Sequence, residues 1–206
     1  GGKNSGGAVD SIRYVTIATT GNSTDFGDLT IASALGGGLS NSTRGLTIGG
    51  QGDSGSNTRI DYITIASTGD ATDFGDPSAA SEEPAGLSSS TRGVYSNTGS
   101  SSTNSGTVIE YVTIGSTGDA TDFGDLTVGR GNMMGAMSSG VRGVFAGGTT
   151  GSASNVMDYI TIASTGDATD FGDLTSARND TTGTGSSTRG VVMGGGGAAS
   201  LTDIID

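Results

Sequence analysis

The stretch I-D-Y-I-T-I-A-S-T-G-D-A-T-D-F-G-D, residues 60–76, decides the fold, because near-copies of it occupy residues 12–28, 109–125 and 157–173. Its first half is rich in β-branched residues and Tyr, which is typical of a strand. Ser-Thr-Gly-Asp-Ala then has the composition of a turn, and Thr-Asp-Phe-Gly-Asp predicts a second strand. Each copy therefore predicts two strands joined by a turn.

Three markers recur in register with this block. A Tyr precedes each Phe by 12 residues, and an Arg-Gly pair follows each Phe by 18 or 19 residues. The positions are Tyr14, Tyr62, Tyr111 and Tyr159; Phe26, Phe74, Phe123 and Phe171; and Arg44, Arg92, Arg142 and Arg189. Repetition at this period is typical of propellers and other repeat arrays.

Two more short strands complete each unit. A Gly/Ser-rich stretch after the Phe predicts a third strand, seen best at residues 133–137, and the Arg-Gly turn precedes a fourth, such as residues 143–146. We therefore predict an all-β fold with no helix, in which each unit of about 48 residues forms a four-stranded antiparallel blade. The chain is expected to be a single repeat domain with units at about 10–58, 59–107, 108–155 and 156–203.

The order of markers resembles that of a known family. In the fourth unit it runs Gly147-Gly148, Tyr159, Phe171, Leu174 and Arg178. This resembles the kelch repeat, whose blades carry a double glycine, a Tyr and a Trp at similar spacing. The resemblance covers nearly the whole chain and implies a β-propeller; the alternative is a linear β-solenoid or fibre of the same units.

The chain departs from the kelch pattern at three kinds of position. Phe stands where kelch usually has Trp. The double glycine is present at Gly49-Gly50, Gly147-Gly148 and Gly194-Gly195, but we align Ser96-Asn97 with it in the second unit. The closing Arg is present at Arg130 and Arg178, whereas Ser33 and Ser81 take its place in the first two units.

The block Y-[IV]-T-I-x-[ST]-T-G-[DN]-x-T-D-F-G-D is also similar to repeat arrays in virion structural and tail-fibre proteins of marine bacteriophages. That resemblance rests on 15 residues. It implies an extracellular or virion location and no particular chemistry.

Both ends of the sequence are expected to lie inside a blade. The chain opens on Gly1-Gly2, and Leu201–Asp206 resemble the start of another Tyr strand. Because it begins with Gly rather than Met, we expect a processed product or a piece of a longer protein. Three arrangements stay open: a fragment of a larger ring, a four-bladed ring closed by its terminal strands, or a linear stack whose ends pair between subunits.

Composition excludes several classes of protein. Gly makes up 40 of 206 residues, which argues against a helical bundle because each Gly inside a helix costs about 1 kcal/mol relative to Ala. With no Cys and no His, thiolate nucleophiles, Cys-ligated metals and His general bases are excluded. The net charge of −12 with singly scattered Lys and Arg predicts no nucleic-acid partner. No apolar run approaches the ~20 residues of a membrane span.

The recurring acidic residues are weak calcium candidates, because calcium binds clustered carboxylates. They are Asp70, Asp73 and Asp76; Asp119, Asp122 and Asp125; and Asp167, Asp170 and Asp173. Their spacing of three differs from that of a D-x-D-x-D-G loop. We therefore favour a structural role, in which these carboxylates accept hydrogen bonds from nearby backbone N–H groups, and predict no cofactor.

The recurring Arg and Phe residues also have two interpretations. The four Arg side chains could form a ring that binds anionic sugars, but with two Asp in every DFGD block we favour pairing of each Arg with an Asp. The four Phe rings are expected to pack between blades.

We predict no enzymatic activity. Kelch-like oxidases use copper with His and a modified Cys, which this chain lacks. Ser67-Thr68-Gly69-Asp70 resembles the sialidase box only loosely, with no Trp. Glu82, Glu83 and Glu110 could supply a glycosidase carboxylate pair, but Glu110 aligns with Asp61 and Asp158 and is an ordinary substitution.

The sequence as a whole predicts a structural or assembly module of an extracellular or virion fibre. We expect self-association or association with other fibre proteins. The alternative is an adhesin that binds a cell-surface receptor or glycan through loops that vary between units, such as residues 51–58, 99–107 and 149–155.

Overall fold

A computed structural model describes residues 1–97, 106–132 and 134–197, and within these ranges the chain consists of strands, turns and loops without a helix. The predicted all-β class is confirmed. Among the described residues there is accordingly no helix that is long and apolar enough to cross a membrane. The last predicted strand, at Leu201–Asp206, lies outside the described residues.

The strands are short and follow one another at regular intervals. In chain order they are β1 (Gly2–Asn4), β2 (Gly7–Val9), β3 (Ser11–Tyr14), β4 (Thr24–Asp28), β5 (Gly37–Ser40), β6 (Arg44–Ile48), β7 (Gln51–Gly52), β8 (Gly55–Ser56), β9 (Ile60–Thr64), β10 (Thr72–Gly75), β11 (Gly86–Ser88), β12 (Arg92–Ser96), β13 (Val108–Thr113), β14 (Thr121–Asp125), β15 (Gly135–Ser138), β16 (Arg142–Ala146), β17 (Val156–Thr161), β18 (Thr169–Asp173), β19 (Thr182–Gly185) and β20 (Gly190–Met193).

Twelve of these strands form three antiparallel sheets of four strands each. Sheet I has the order β5–β6–β9–β10, sheet II the order β11–β12–β13–β14, and sheet III the order β15–β16–β17–β18. Each sheet therefore takes its first two strands from one sequence unit and its last two strands from the next. We call these last two the Tyr strand and the Phe strand, after the recurring aromatic residue that each carries. Two strand pairs flank the sheets. The first pair, β3–β4, consists of a Tyr strand and a Phe strand. The last pair, β19–β20, corresponds to the first two strands of a sheet.

The Phe strand bends at the same place in every unit. Its pairing with the Tyr strand shifts register by one residue, for example between Ile109 and Glu110. At this bulge Gly124 has a φ of +143°, and a Cβ on it would lie 2.5 Å from the carbonyl oxygen of Gly166 in the next unit. Only Gly combines that backbone conformation with so close an approach.

Main-chain hydrogen bonds join neighbouring sheets at this bulge. Gly166 donates to the carbonyl of Phe123 at 2.7 Å, and Ala168 donates to the carbonyl of Asp125 at 2.8 Å. The same two bonds recur between the earlier units, from Gly69 and Ala71 to Phe26 and Asp28, and from Gly118 and Ala120 to Phe74 and Asp76. Backbone groups therefore link one sheet to the next at every one of these junctions.

The first strands of neighbouring sheets also approach closely. A Cβ on Gly86 would lie 2.7 Å from the carbonyl oxygen of Gly38 in sheet I. Ser88 donates from its hydroxyl to the carbonyl of Ser40, and Ser138 donates likewise to the carbonyl of Ser88, both at 2.7 Å. Small residues in these strands allow the sheets to converge along this edge.

The buried apolar side chains form clusters that each draw on two neighbouring sheets. Phe74 of sheet I lies in one cluster with Tyr95 and Ile114 of sheet II. Phe123 of sheet II lies in another with Phe145 and Ile162 of sheet III. A single sheet has no core of its own, so its stability depends on its neighbours, as in other repeat proteins.

The close contact at the bulge can be tested with Gly124→Ala and Gly172→Ala. Both glycines have positive φ, but among the described residues nothing lies within 4 Å of a Cβ built on Gly172. We expect Gly124→Ala to lower the free energy of unfolding by about 1–3 kcal/mol more than Gly172→Ala, since only it forces the sheets apart. Equal losses in urea denaturation would contradict an inter-sheet contact at Gly124.

Candidate functional site

The Asp that follows each turn glycine links neighbouring units. The carboxylate of Asp70 accepts a hydrogen bond from the backbone N–H of Asp28 at 3.0 Å. Asp119 accepts from Asp76 at 3.0 Å and Asp167 accepts from Asp125 at 3.1 Å. These side chains reinforce the main-chain bonds at the bulge.

In two units the Asp before the Phe has a local role. The Asp73 carboxylate accepts from the backbone N–H of Gly75, and that of Asp170 accepts from Gly172, both at 3.2 Å. Asp73 also forms an ion pair with Arg59 at 2.9 Å. Both carboxylates are exposed, and their hydrogen bonds stabilise the bulge.

The nine calcium candidates do not converge. All nine are among the described residues, and in that part of the chain there is no group of three or more acidic side chains arranged to hold a metal ion. Acidic residues do influence one another at the first pair: partial desolvation, together with Asp10, Asp70 and Asp25, raises the pKa of Asp28. The geometry of the candidates gives the calcium hypothesis no support.

The recurring Arg, Tyr and Phe form one stack in each complete sheet. The guanidinium carbon of Arg92 lies 4.2 Å from the centre of the Tyr111 ring, whose edge-to-face contact with Phe123 has a centroid distance of 6.1 Å. The equivalent pairs are Arg44 on Tyr62 at 4.5 Å and Arg142 on Tyr159 at 4.4 Å. These are cation–π contacts.

Two of these Arg residues also reach the next sheet. Arg44 donates from Nη1 to the carbonyl of Ile114 at 2.9 Å, and Arg92 donates to the carbonyl of Ile162 at 3.0 Å. Each carbonyl belongs to the Tyr-strand segment of the following sheet. Each of these two Arg side chains therefore joins a Tyr ring of its own sheet to a carbonyl of the next sheet, an arrangement that we call the Arg clamp.

The predicted pairing of the four Arg residues with Asp is wrong. Within the described ranges none of the four forms an ion pair. The reason is strand register: Arg92 pairs with Thr113 and Tyr111 pairs with Val94, so the Arg is a diagonal neighbour of the Tyr and within reach of its ring.

The four Phe rings differ in burial. Phe26, Phe74 and Phe123 are 2–7% exposed, whereas Phe171 is 47% exposed. Phe171 lines a groove of about 620 Å³ beside the last pair, together with Met157, Leu174 and Val192. At Phe26, Phe74 and Phe123 the equivalent place is occupied by the following sheet, which buries the ring.

A buried ion pair was missed by the sequence reasoning. Arg130 and Asp158 are both fully buried, 2.7 Å apart, and Arg130 Nε donates to the carbonyl of Gly147 at 2.9 Å. Thr127 donates from its hydroxyl to the same carboxylate. The available signal was the acid that recurs in the Tyr strand as Asp61, Glu110 and Asp158. The sequence alignment treated Glu110 as an ordinary substitution and assigned this position no role.

Sheet II has a buried acid at the same position but no cation beside it. Glu110 is 1% exposed, and Asn97 donates to it from Nδ2 at 2.7 Å while the backbone N–H of Ser78 donates at 3.0 Å. Ser81 stands where the next unit has Arg130. Burial, and then the negative charge of Glu110, raise the pKa of the neighbouring Tyr95 phenol.

The position of Asn97 corrects one alignment. Its backbone N–H donates to the carbonyl of Val108, just as that of Gly147 donates to Val156. The double glycine is therefore replaced by Asn97 and Thr98, not by Ser96 and Asn97; Thr98 lies outside the described residues. In sheet I the equivalent acid, Asp61, accepts from both the backbone N–H and the hydroxyl of Thr30.

Comparison with known proteins adds no family. No protein-family model matches the chain, and a search of curated proteins found no significant match. The kelch and phage resemblances stay predictions.

The Arg clamp can be tested with Arg92→Met, which keeps the packing of the alkyl chain. We expect the free energy of unfolding to fall by about 1–3 kcal/mol, because a cation–π contact and a charged hydrogen bond are lost. Arg189→Met is the matched control, since Arg189 lies on no Tyr ring within the described ranges. Equal effects in thermal or urea denaturation would contradict the clamp.

The buried ion pair between Arg130 and Asp158 predicts a difference in stability between a single and a double variant. Arg130→Met should destabilise the fold by about 3–5 kcal/mol, because it leaves the Asp158 carboxylate buried without its cation. Arg130→Met combined with Asp158→Asn removes both charges and is expected to recover part of the loss. A double variant less stable than the single one in denaturant titrations would show that the charge of Asp158 is not the cause.

Proposed function

We propose that this chain is a non-enzymatic structural or assembly module of an extracellular or virion fibre. In this proposal the four-stranded sheets are kelch-like propeller blades, with a linear stack of the same units as the alternative. One observation carries the proposal: the same set of main-chain bonds and Arg clamps joins each sheet to the next. A surface that repeats in this way can be extended by further units of the same kind.

The use of the recurring polar residues supports a structural role. The Arg side chains contact Tyr rings and carbonyl groups, and the turn Asp residues accept backbone hydrogen bonds between units. The chain also lacks His and Cys. The residues repeated most faithfully are therefore those that join sheets, as expected of a scaffold.

A second candidate function has its own support. The loops between the second strand and the Tyr strand form small hairpins, β1–β2 and β7–β8, that lie side by side. Lys3 donates to the Gln51 side chain, and the backbone N–H of Ala8 donates to Asp53 at 2.8 Å. Variable loops ordered on a fixed scaffold are suited to recognition, so this face is the candidate site of a receptor- or glycan-binding adhesin.

Negative-stain imaging with sedimentation velocity tests the assembly proposal. We expect discs if the sheets close into a ring and filaments if they stack linearly. Gly172→Ala should reduce either, because Gly172 is the equivalent of Gly124 and a following unit would contact it. A single small species without ordered particles would contradict the assembly role. Specific retention on a glycan array, lost when residues 51–58 are replaced by residues 149–155, would favour the adhesin instead.

A further inference from the structure

The chain contains one Lys and one Gln, and their two side chains meet. Lys3 lies in β1 and Gln51 in β7, and each directly follows a pair of glycines, Gly1-Gly2 and Gly49-Gly50. Lys3 Nζ donates a hydrogen bond to Gln51 Oε1. The two residues therefore occupy the same position in consecutive units, and the amine of one is held against the side-chain amide of the other.

The main chain around this contact is fixed on both sides. Gln51 exchanges two main-chain hydrogen bonds with Ala34, at 2.6 and 2.9 Å. The two hairpins are joined a second time where the backbone N–H of Ala8 donates to the Asp53 carboxylate at 2.8 Å. A Cβ on Gly7 would lie 2.6 Å from the same carboxylate, so Gly permits this close approach. Such positioning raises the effective concentration of two groups that can react.

A carboxyl group lies on the other side of the same amide. Glu82, in the loop before β11, accepts a hydrogen bond from Gln51 Nε2 at 3.3 Å and another from the Ser56 hydroxyl at 3.0 Å. Glu82 is half-buried, as are Gln51 and Ser56. The Gln51 amide thus has an amine at its oxygen and a carboxyl group at its nitrogen, which is the group that would leave in a transfer of its acyl carbon.

Lys3 contacts a neutral amide although the chain is strongly acidic. The chain carries 21 Asp and Glu residues, yet within the described ranges Lys3 forms no ion pair. A surface cation placed only for charge pairing is expected beside a carboxylate. The contact between the single Lys and the single Gln instead brings together the two groups that condense to an isopeptide bond.

We propose that Lys3 and Gln51 condense to a side-chain isopeptide bond that links hairpins β1–β2 and β7–β8 covalently, with Glu82 as the proton donor. The bond from Lys3 Nζ to Gln51 Cδ forms, and the bond from Cδ to Nε2 breaks. The Lys ammonium loses two protons, and the leaving nitrogen gains two and departs as ammonium, so atoms and charge balance without an oxidant or a reductant. Glu82 is placed to supply a proton to Nε2. This self-modification does not depend on the proposed assembly role.

Mass spectrometry of the intact, folded chain tests the proposal. We expect the chain to become lighter by one ammonia molecule during incubation at about pH 9, where more of an amine is in its neutral, nucleophilic form. Trypsin should then release a branched peptide that joins residues 1–13 to residues 45–59, because it cannot cut after a crosslinked Lys. A fully retained mass, or a loss of ammonia without the branched peptide, would overturn the inference.

Three variants separate the roles of the three side chains. Lys3→Arg keeps the positive charge without a nucleophilic amine, and Gln51→Met keeps the length of the side chain without an amide, so both should retain the full mass. Glu82→Gln keeps a side chain of the same shape but has no acidic proton, and we expect it to form the crosslink about a hundredfold more slowly. Equal rates in Glu82→Gln and the parent chain would contradict the role of Glu82. Equal rates in folded and urea-denatured chains would contradict positioning by the fold.

Discussion

The contact between the bulge glycine of one Phe strand and the Gly-Asp turn of the next unit is the constraint on which the structure depends. At Gly75 and Gly124 the backbones approach so closely that a Cβ would lie 2.5 Å from a neighbouring carbonyl oxygen. Two main-chain hydrogen bonds and one Asp side chain complete each contact. Because these groups are short and rigid, they fix the spacing between sheets.

This spacing explains the composition. Sheets held so close leave room for one layer of apolar side chains, and each cluster draws on two sheets. Gly and Ser line the first strands, where the sheets converge. The long side chain used repeatedly is Arg, because its guanidinium can lie flat on a Tyr ring and still reach a carbonyl of the following sheet.

The strands were predictable because their signals are local. Alternating β-branched residues identified β9 and its equivalents, and the third strand expected at residues 133–137 is found at Gly135–Ser138, with Met133 outside the described residues. The partner of Arg92 was predicted wrongly, because it depends on the register between β12 and β13, which the sequence does not encode locally. The burial of Asp158 was missed because the covering residue, Arg130, comes from the preceding unit.

The main-chain contacts repeat from one junction to the next, but the polar contacts of the buried acid do not. Thr30 donates to Asp61, Asn97 donates to Glu110, and both Thr127 and Arg130 donate to Asp158. Loss of the cationic donor would leave a buried carboxylate without its charge partner, at a cost of several kcal/mol. The backbone contacts are therefore common to all junctions, whereas the stabilisation of the buried acid is specific to each sheet.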